Sequence, residues 1–274
     1  MLQSFLLCLK EVRISAKSVN NTIQIKNWQV GVRMDVKIIV PITDVKLTNS
    51  IEKDLDKISP EGLTIDVENI EYGASSLESF YDEVFNSVEV VKNAKKAEEE
   101  GFDAVIVGCF VGPGVNAARE KLDIPVIHPG ETSIYLASLV GRDFSILDII
   151  DESRFATKKL VRECGLTQNL VSVRNLGLPV HRLEQDLEET IERCKIEGKR
   201  AIEEGANVLV LGCGAMTKVA KKLEKNLHNQ GYDAPVIEPF KASLHMCKFQ
   251  IEMSLPYSKR AYPFPVGKER KFRD

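Results

Sequence analysis

The chain has 274 residues, enough for one large or two modest domains, with 43% hydrophobic and 28% charged residues and a net charge of −3. That balance fits an ordinary globular protein. Without a basic stripe it excludes nucleic-acid binding, whose affinity comes from clustered Lys and Arg. No apolar run approaches the ~20 residues of a membrane-spanning helix, so no membrane association is expected.

Residues 1–33 are rich in Asn, Ser, Gln and Val without clear periodicity and read as an N-terminal extension, poorly ordered. Its start, Met1 to Leu9, is apolar but short, is cut off by Lys10-Glu11 and is followed by no small-residue cleavage site. It is therefore not read as a signal peptide. The domain opens at Met34, with a strand over Val36–Val40. A helix over 51–58, a strand over 62–67 and one or two helices over 77–100 follow, stopped by Gly101. Then come a strand over Ala104–Val107, a helix over 114–122, a short strand at Val126–Ile127 and a helix through Leu139. The second half begins with a strand at 144–149, a helix over 153–164 and a strand over 171–173. A long helix over 183–204, a strand over Val208–Leu211, a helix over 216–227, a strand at Val236–Ile237 and a helix over 242–254 complete it. Strict alternation of strand and helix predicts parallel sheets covered by helices.

The chain repeats itself. Glu99-Glu100-Gly101-Phe102-Asp103-Ala104-Val105-Ile106-Val107-Gly108-Cys109 returns as Glu203-Glu204-Gly205-Ala206-Asn207-Val208-Leu209-Val210-Leu211-Gly212-Cys213, offset by 104. Asp123-Ile124-Pro125-Val126-Ile127-His128-Pro129 returns as Asp233-Ala234-Pro235-Val236-Ile237-Glu238-Pro239, offset by 110, so the second copy carries a six-residue insertion. The domain reading is an extension at 1–33, a first α/β half at 34–141 carrying Cys109 and a second at 142–274 carrying Cys213. The C-terminal tail could return to the first half.

Ligands of open α/β sheets bind beyond the carboxyl ends of the strands, where both Gly-Cys pairs fall. Helices are predicted just after each, and a helix N-terminus offers free N–H groups and lowers a nearby thiol's pKa. Two thiols facing one carbon suit stereoinversion, one removing a proton and the other returning one to the opposite face. A lone cysteine after a strand is ordinarily core filling, but two at repeat-equivalent positions point to function. Cys164, Cys194 and Cys247 read as structural or core, and Cys8 lies in the extension. With six cysteines and no CxxC pair, the thiols read as reduced and the compartment as cytoplasmic. His128 could line the cleft or be a satisfied structural residue. His245-Met246-Cys247 lacks the spacing of helical metal ligands, and no metal is expected.

At these motifs the chain resembles the aspartate/glutamate/hydantoin racemase superfamily, most closely its hydantoin racemase branch. The matching pieces are Tyr72-Gly73-Ala74-Ser75-Ser76-Leu77-Glu78-Ser79-Phe80-Tyr81-Asp82-Glu83, Gly108-Cys109-Phe110 with Pro113-Gly114, Gly212-Cys213-Gly214-Ala215-Met216 and Tyr257-Ser258-Lys259-Arg260. The resemblance implies two Rossmann-like halves around a pseudo-two-fold cleft and a racemase or epimerase acting next to a carbonyl. The substrate would be a small molecule: a hydantoin, allantoin or amino-acid derivative. It implies Cys109 and Cys213 as acid/base thiols, Phe110, Gly214 and Ala215 as backbone donors, and Thr43 as a substrate contact. It also implies a homo-oligomer and no cofactor. The chain departs from the branch in two places. Val40-Pro41-Ile42-Thr43 stands where Asn-Pro-Asn-Thr is common, and Leu147-Asp148-Ile149 stands where threonines are usual. Asp148 or Asp151 near the cleft would favour an N–H donor, or would cap the helix beginning at Ser153. The alternatives are a decarboxylase or maleate-type cis–trans isomerase of the same superfamily, a Cys-nucleophile amidase using His128 as base, and a non-catalytic binding module.

Overall fold

Short, mostly apolar runs form the central strands, which are buried on both faces, as strands sandwiched between helices must be. The structure, a computed structural model, describes residues 33–269; the expected extension, apart from Arg33, lies outside them. The first sheet contains β1 (Met34–Val40), β2 (Leu63–Asn69), β3 (Ala104–Val107) and β4 (Val126–Ile127) in the order β2-β1-β3-β4. The second contains β5 (Phe144–Asp148), β6 (Leu170–Asn175), β7 (Val208–Leu211) and β8 (Val236–Ile237) in the order β6-β5-β7-β8. Every pairing is parallel. The two α/β halves thus have one topology, and the repeat read in the sequence is a repeat of structure. The pairing Ile39 with Val107 matches Leu147 with Leu211, which sets both Gly-Cys tips side by side with the ends of β1 and β5.

The helices are α1 (Val45–Leu55), α2 (Phe80–Glu100), α3 (Val115–Lys121), α4 (Pro129–Gly141), α5 (Arg154–Glu163), α6 (Val180–Gln185), α7 (Leu187–Glu203), α8 (Ala220–His228) and α9 (Pro239–Glu252). The matched Glu-Glu-Gly frames both end helices, with Gly101 and Gly205 at φ of 93° and 110°, the left-handed region that favours glycine. Three expectations are corrected. The first helix starts six residues before the expected Ile51, because the Asp44 carboxylate accepts from the Lys46 and Leu47 amides at 2.9 and 3.1 Å. The helix expected over 183–204 is two, broken where Asp186 leaves helical geometry (φ −128°, ψ 61°), so α6 can turn onto the loop after Cys213. The helix expected from Met216 is a 3-10 turn (Gly214–Met216) followed by α8. Of the six inserted residues that offset the repeat, one lies before α8, two lengthen α8 relative to α3 and three lie between α8 and Asp233.

The halves interlock through their last helices. Ile134 and Ala137 of α4 pack with Phe144, Ile146, Val208 and Val210 of the second sheet. Phe240, Leu244, Cys247 and Ile251 of α9 pack with Val36, Ile38 and Ile106 of the first. Each half therefore supplies a cover for the other's sheet, which fixes the two rows of strand tips against one another. The tail also reaches the first half: Lys259 Nζ donates to the Arg119 carbonyl at 2.9 Å, and Arg119 stacks on the Tyr257 ring at 4.2 Å. Among the described residues no helix is long and apolar enough to cross a membrane.

Glu238 starts α9 and accepts from the Phe240 and Lys241 amides at 2.9 and 2.6 Å. Burial nonetheless pushes its carboxyl up to about 7 from 4.5, against those two bonds. A carboxyl whose pKa is raised by folding binds its proton more tightly in the native state. Stability therefore falls as pH rises from about 4.5 through about 7, by about 3 kcal/mol at ~1.4 kcal/mol per pH unit. Urea unfolding at pH 5 and pH 8 should show this loss in the parent and a much smaller one in Glu238→Gln. Equal losses in both would show that the slope arises elsewhere.

Candidate active site

Both glycines before the cysteines are demanded by the neighbouring strand. A Cβ on Gly108 would lie 3.2 Å from the Ile39 carbonyl oxygen, and one on Gly212 would lie 2.9 Å from that of Leu147. Each tip can therefore lie flat on the adjacent strand and turn its cysteine into the cleft. Cys109 and Cys213 line one cavity of about 70 Å³ between the halves. Its floor is Gly108, Gly212 and Asp148, and Ile42, Leu77 and Val180 are among its apolar walls. Leu77 and Val180 come from opposite halves. Beside them the Glu78 carboxylate accepts from the Val180 amide at 3.3 Å, a hydrogen bond between the two halves.

The amides of Val111 and Gly112 donate to the Cys109 thiol. Burial still pushes that thiol up to about 11, and the carboxylates of Glu83 and Asp148 add to the shift. This corrects the expectation of a thiol acidified by a helix end. α3 begins at Val115, within one residue of its expected start but six residues from Cys109, and Cys213 caps a single 3-10 turn rather than a long helix. Alkylation of Cys109, followed by peptide mass spectrometry, should therefore accelerate about tenfold per pH unit from pH 7 to 10, since the thiolate is the nucleophile. A plateau below pH 9 would contradict a thiol this weakly acidic.

The loop after Cys109 is held from behind. His128 Nε2 lies 3.0 Å from the Phe110 carbonyl oxygen. A carbonyl only accepts, so this nitrogen carries the proton. Burial, with Arg119 adding to it, lowers His128 to about 4 and keeps the ring neutral. Gly130 allows the close approach, since a Cβ there would fall 2.0 Å from the same Phe110 oxygen. Gly112, at φ 59°, lies against the His128 ring. His128 is therefore a satisfied structural residue outside the cavity lining, and its ring proton is committed. It is not placed as the base an amidase would need.

Phe110, Gly214 and Ala215 line the cavity. Thr43 does not. Its amide donates to the Ala74 carbonyl at 3.1 Å, while Val40, Pro41 and Ile42 face the cavity. Asp148 lines the cavity, whereas Asp151 is exposed and pairs with Arg154 at 3.5 Å. Neither caps the backbone of α5, although Ser153 and Thr157 hydroxyls reach the Asp148 carboxylate. Sequence reasoning missed Glu83. It sits in the first turn of α2, and burial raises its pKa. Its place in the Tyr81-Asp82-Glu83 run gave no sign that the helix start would face Cys109. Among the described residues that line the cavity there is no Lys, Arg or His. Cys164, Cys194 and Cys247 lie away from the cavity, their thiols pushed up by burial.

Comparison with known proteins agrees with this geometry. The family model described as Asp/Glu/Hydantoin racemase matches residues 36–247. A hydantoin racemase of Pseudomonas sp. (strain NS671) is 34% identical over 86% of this chain and 94% of its own. A hydantoin racemase of Paenarthrobacter aurescens is 30% identical over 86% of this chain and 99% of its own. Among solved structures, allantoin racemase from Klebsiella pneumoniae superposes with a TM-score of 0.81 at 28% identity, covering 88% of this chain and 97% of that one.

Proposed function

The chain belongs to the Asp/Glu/hydantoin racemase family, and on that premise we propose that it inverts a carbon next to a carbonyl in a hydantoin or allantoin type of ring, using Cys109 and Cys213. The observation that carries this reading is the placement of the two cysteines. They end equivalent strands, β3 and β7, of two halves with one topology, and they line the same small cavity. The names of the relatives support the substrate class.

The chemistry follows from this placement. The C5 hydrogen of a hydantoin is acidified by the adjoining carbonyl. The thiolate of one cysteine takes that proton, forming an S–H bond and leaving an enolate whose charge rests on the carbonyl oxygen. The thiol of the other cysteine gives a proton to the opposite face, restoring the C–H bond with inverted configuration. The enzyme ends with the protonation of its two thiols exchanged. Backbone amides at Phe110, Gly214 and Ala215 are the donors for the developing oxyanion. At neutral pH Cys109 starts as the thiol, because its surroundings disfavour the anion. The scheme needs only the two sulfurs, so no cofactor is assigned to it. The cavity of about 70 Å³ is smaller than a substituted ring needs, so the walls that the two halves contribute move apart to admit substrate.

Two broader features belong to the same reading. Phe80, Tyr81, Val84, Phe85 and Val88 form an exposed apolar face on α2, which supports assembly into a homo-oligomer. Five free cysteines among the described residues support a reducing, cytoplasmic setting. The test is polarimetry of enantiopure 5-substituted hydantoins and allantoin. Decay of rotation to zero without loss of material is the expected result, and unchanged rotation for all of them would overturn the proposal.

A further inference from the structure

We infer that Asp148 sets the substrate class of this site: its carboxylate accepts a ring N–H from a neutral cyclic ureide and turns away substrates that bring a carboxylate. The inference rests on reading the cavity as a racemase site. Asp148 ends β5, is 1% exposed and lines the cavity beside Gly212, whose Cβ position is 3.1 Å from the Asp148 Cα. Its Oδ1 accepts from the Ile149 amide at 2.8 Å and the Ser153 hydroxyl at 2.7 Å, and its Oδ2 accepts from the Thr157 hydroxyl at 2.6 Å. A carboxylate offers about four acceptor positions, so one position on Oδ2 is left for a ligand.

The repeat shows that the fold itself does not require an acid here. The equivalent end of β1 is Val40, against which Gly108 packs as Gly212 packs against Asp148. One wall of the cleft floor is thus apolar and the other acidic, which is enough to orient a ring whose edge carries N–H groups. The field points the same way. Burial raises the Asp148 carboxyl, against the three hydrogen bonds that it accepts and that favour its anion; as anions Asp148 and Glu83 both disfavour a Cys109 thiolate, and no Lys, Arg or His lines the cavity among the described residues. A free amino acid would bury a further carboxylate there without a cationic counter-charge, which is unfavourable. A neutral ring adds no charge and supplies the missing donor.

The test compares kcat/KM for a 5-substituted hydantoin, its N1-methyl and N3-methyl derivatives, aspartate and glutamate, with the parent protein and with Asp148→Asn. In the variant the amide oxygen keeps the bonds from Ile149 and Ser153, and an NH2 group replaces Oδ2, removing the free acceptor position while the Thr157 hydroxyl turns to accept from it. Loss of one hydrogen bond to a charged acceptor should lower kcat/KM by about 10–100-fold for one of the two methyl derivatives in the parent. Asp148→Asn should show the same loss on the unmethylated ring and little further loss on that derivative, a pattern that damage to the fold does not produce. Parent turnover of both methyl derivatives within about threefold of the unmethylated ring would overturn the inference and leave the racemase reading intact. So would faster racemisation of aspartate or glutamate, or an equal loss in Asp148→Asn on all rings. No racemisation of any compound by the parent would remove the racemase reading and this inference with it.

Discussion

Serine at position 109 or at position 213 is expected to lower the racemisation rate by about 10²–10⁴-fold, the usual contribution of a positioned proton-transfer group. Serine keeps the size of the side chain but is far too weak an acid to cycle between its two protonation states. The two variants should also differ from each other in what they retain. With Cys109→Ser, the sulfur at 213 can still remove the proton that faces it and return a solvent proton to the same face. Hydrogen exchange without inversion then survives for one enantiomer. Cys213→Ser should retain exchange for the other. Chiral chromatography combined with mass spectrometry of substrates incubated in deuterated water reads both quantities together. Near-normal racemisation by either variant would remove that cysteine from the chemistry. Both cysteines line one cavity without shaping its outer walls, so the loss should fall mainly on kcat rather than on KM.

The largest effect on stability is expected from Glu131→Ala. Arg119 is 3% exposed and gives its Nη2 to Glu131 Oε2 at 2.5 Å and to the Tyr257 hydroxyl at 2.8 Å. Removing the carboxylate leaves a buried guanidinium without its counter-charge, which costs about 3–5 kcal/mol in pairs of this kind. The Tyr257 hydroxyl and the Val126 carbonyl still accept from Arg119, so the loss should fall near the lower end, about 3 kcal/mol. Urea denaturation of the parent and variant measures it. A change below about 1 kcal/mol would mean that solvent reaches and screens the pair. The consequences should extend to the site. Glu131 lies in the first turn of α4, one turn after His128, which holds the Phe110 carbonyl beside Cys109. The Tyr257 and Lys259 contacts bind the tail to the same region, so the tail helps to hold the Cys109 loop in place.

The two sheets were legible because the apolar runs at Ala104–Val107 and Val208–Leu211 are short, wholly buried, preceded by Asp103 and Asn207 and stopped by Gly108 and Gly212. The cleft was legible because the repeat brought Gly108-Cys109 and Gly212-Cys213 to corresponding tips. Backbone breaks were harder to read. Asp186 interrupts a stretch whose composition favours helix throughout, and its reason is tertiary, the packing of α6 on the turn that follows Cys213. The acidity of Cys109 was misjudged for a similar reason. A predicted helix start near a thiol suggests a lowered pKa, but this helix, within one residue of its expected start, lies six residues from Cys109, and burial beside Glu83 and Asp148 dominates. The resemblance implies Thr43 as a substrate contact, while its amide donates to the Ala74 carbonyl and Val40, Pro41 and Ile42 line the cavity. The crossing of α4 and α9 between the sheets had no local signal, since the apolar stripe that each helix needs is the same whichever sheet it covers.

The central claim is that two thiols work from opposite faces of one carbon. The most direct measurement is the position of label during the first few per cent of reaction in deuterated water, starting from one pure enantiomer of a 5-substituted hydantoin. Two thiols on opposite faces predict that the newly formed enantiomer carries deuterium at C5 from the outset, while the remaining starting enantiomer keeps its hydrogen. Deuterium appearing equally in both enantiomers from the start would contradict this account and point to a single group acting on both faces.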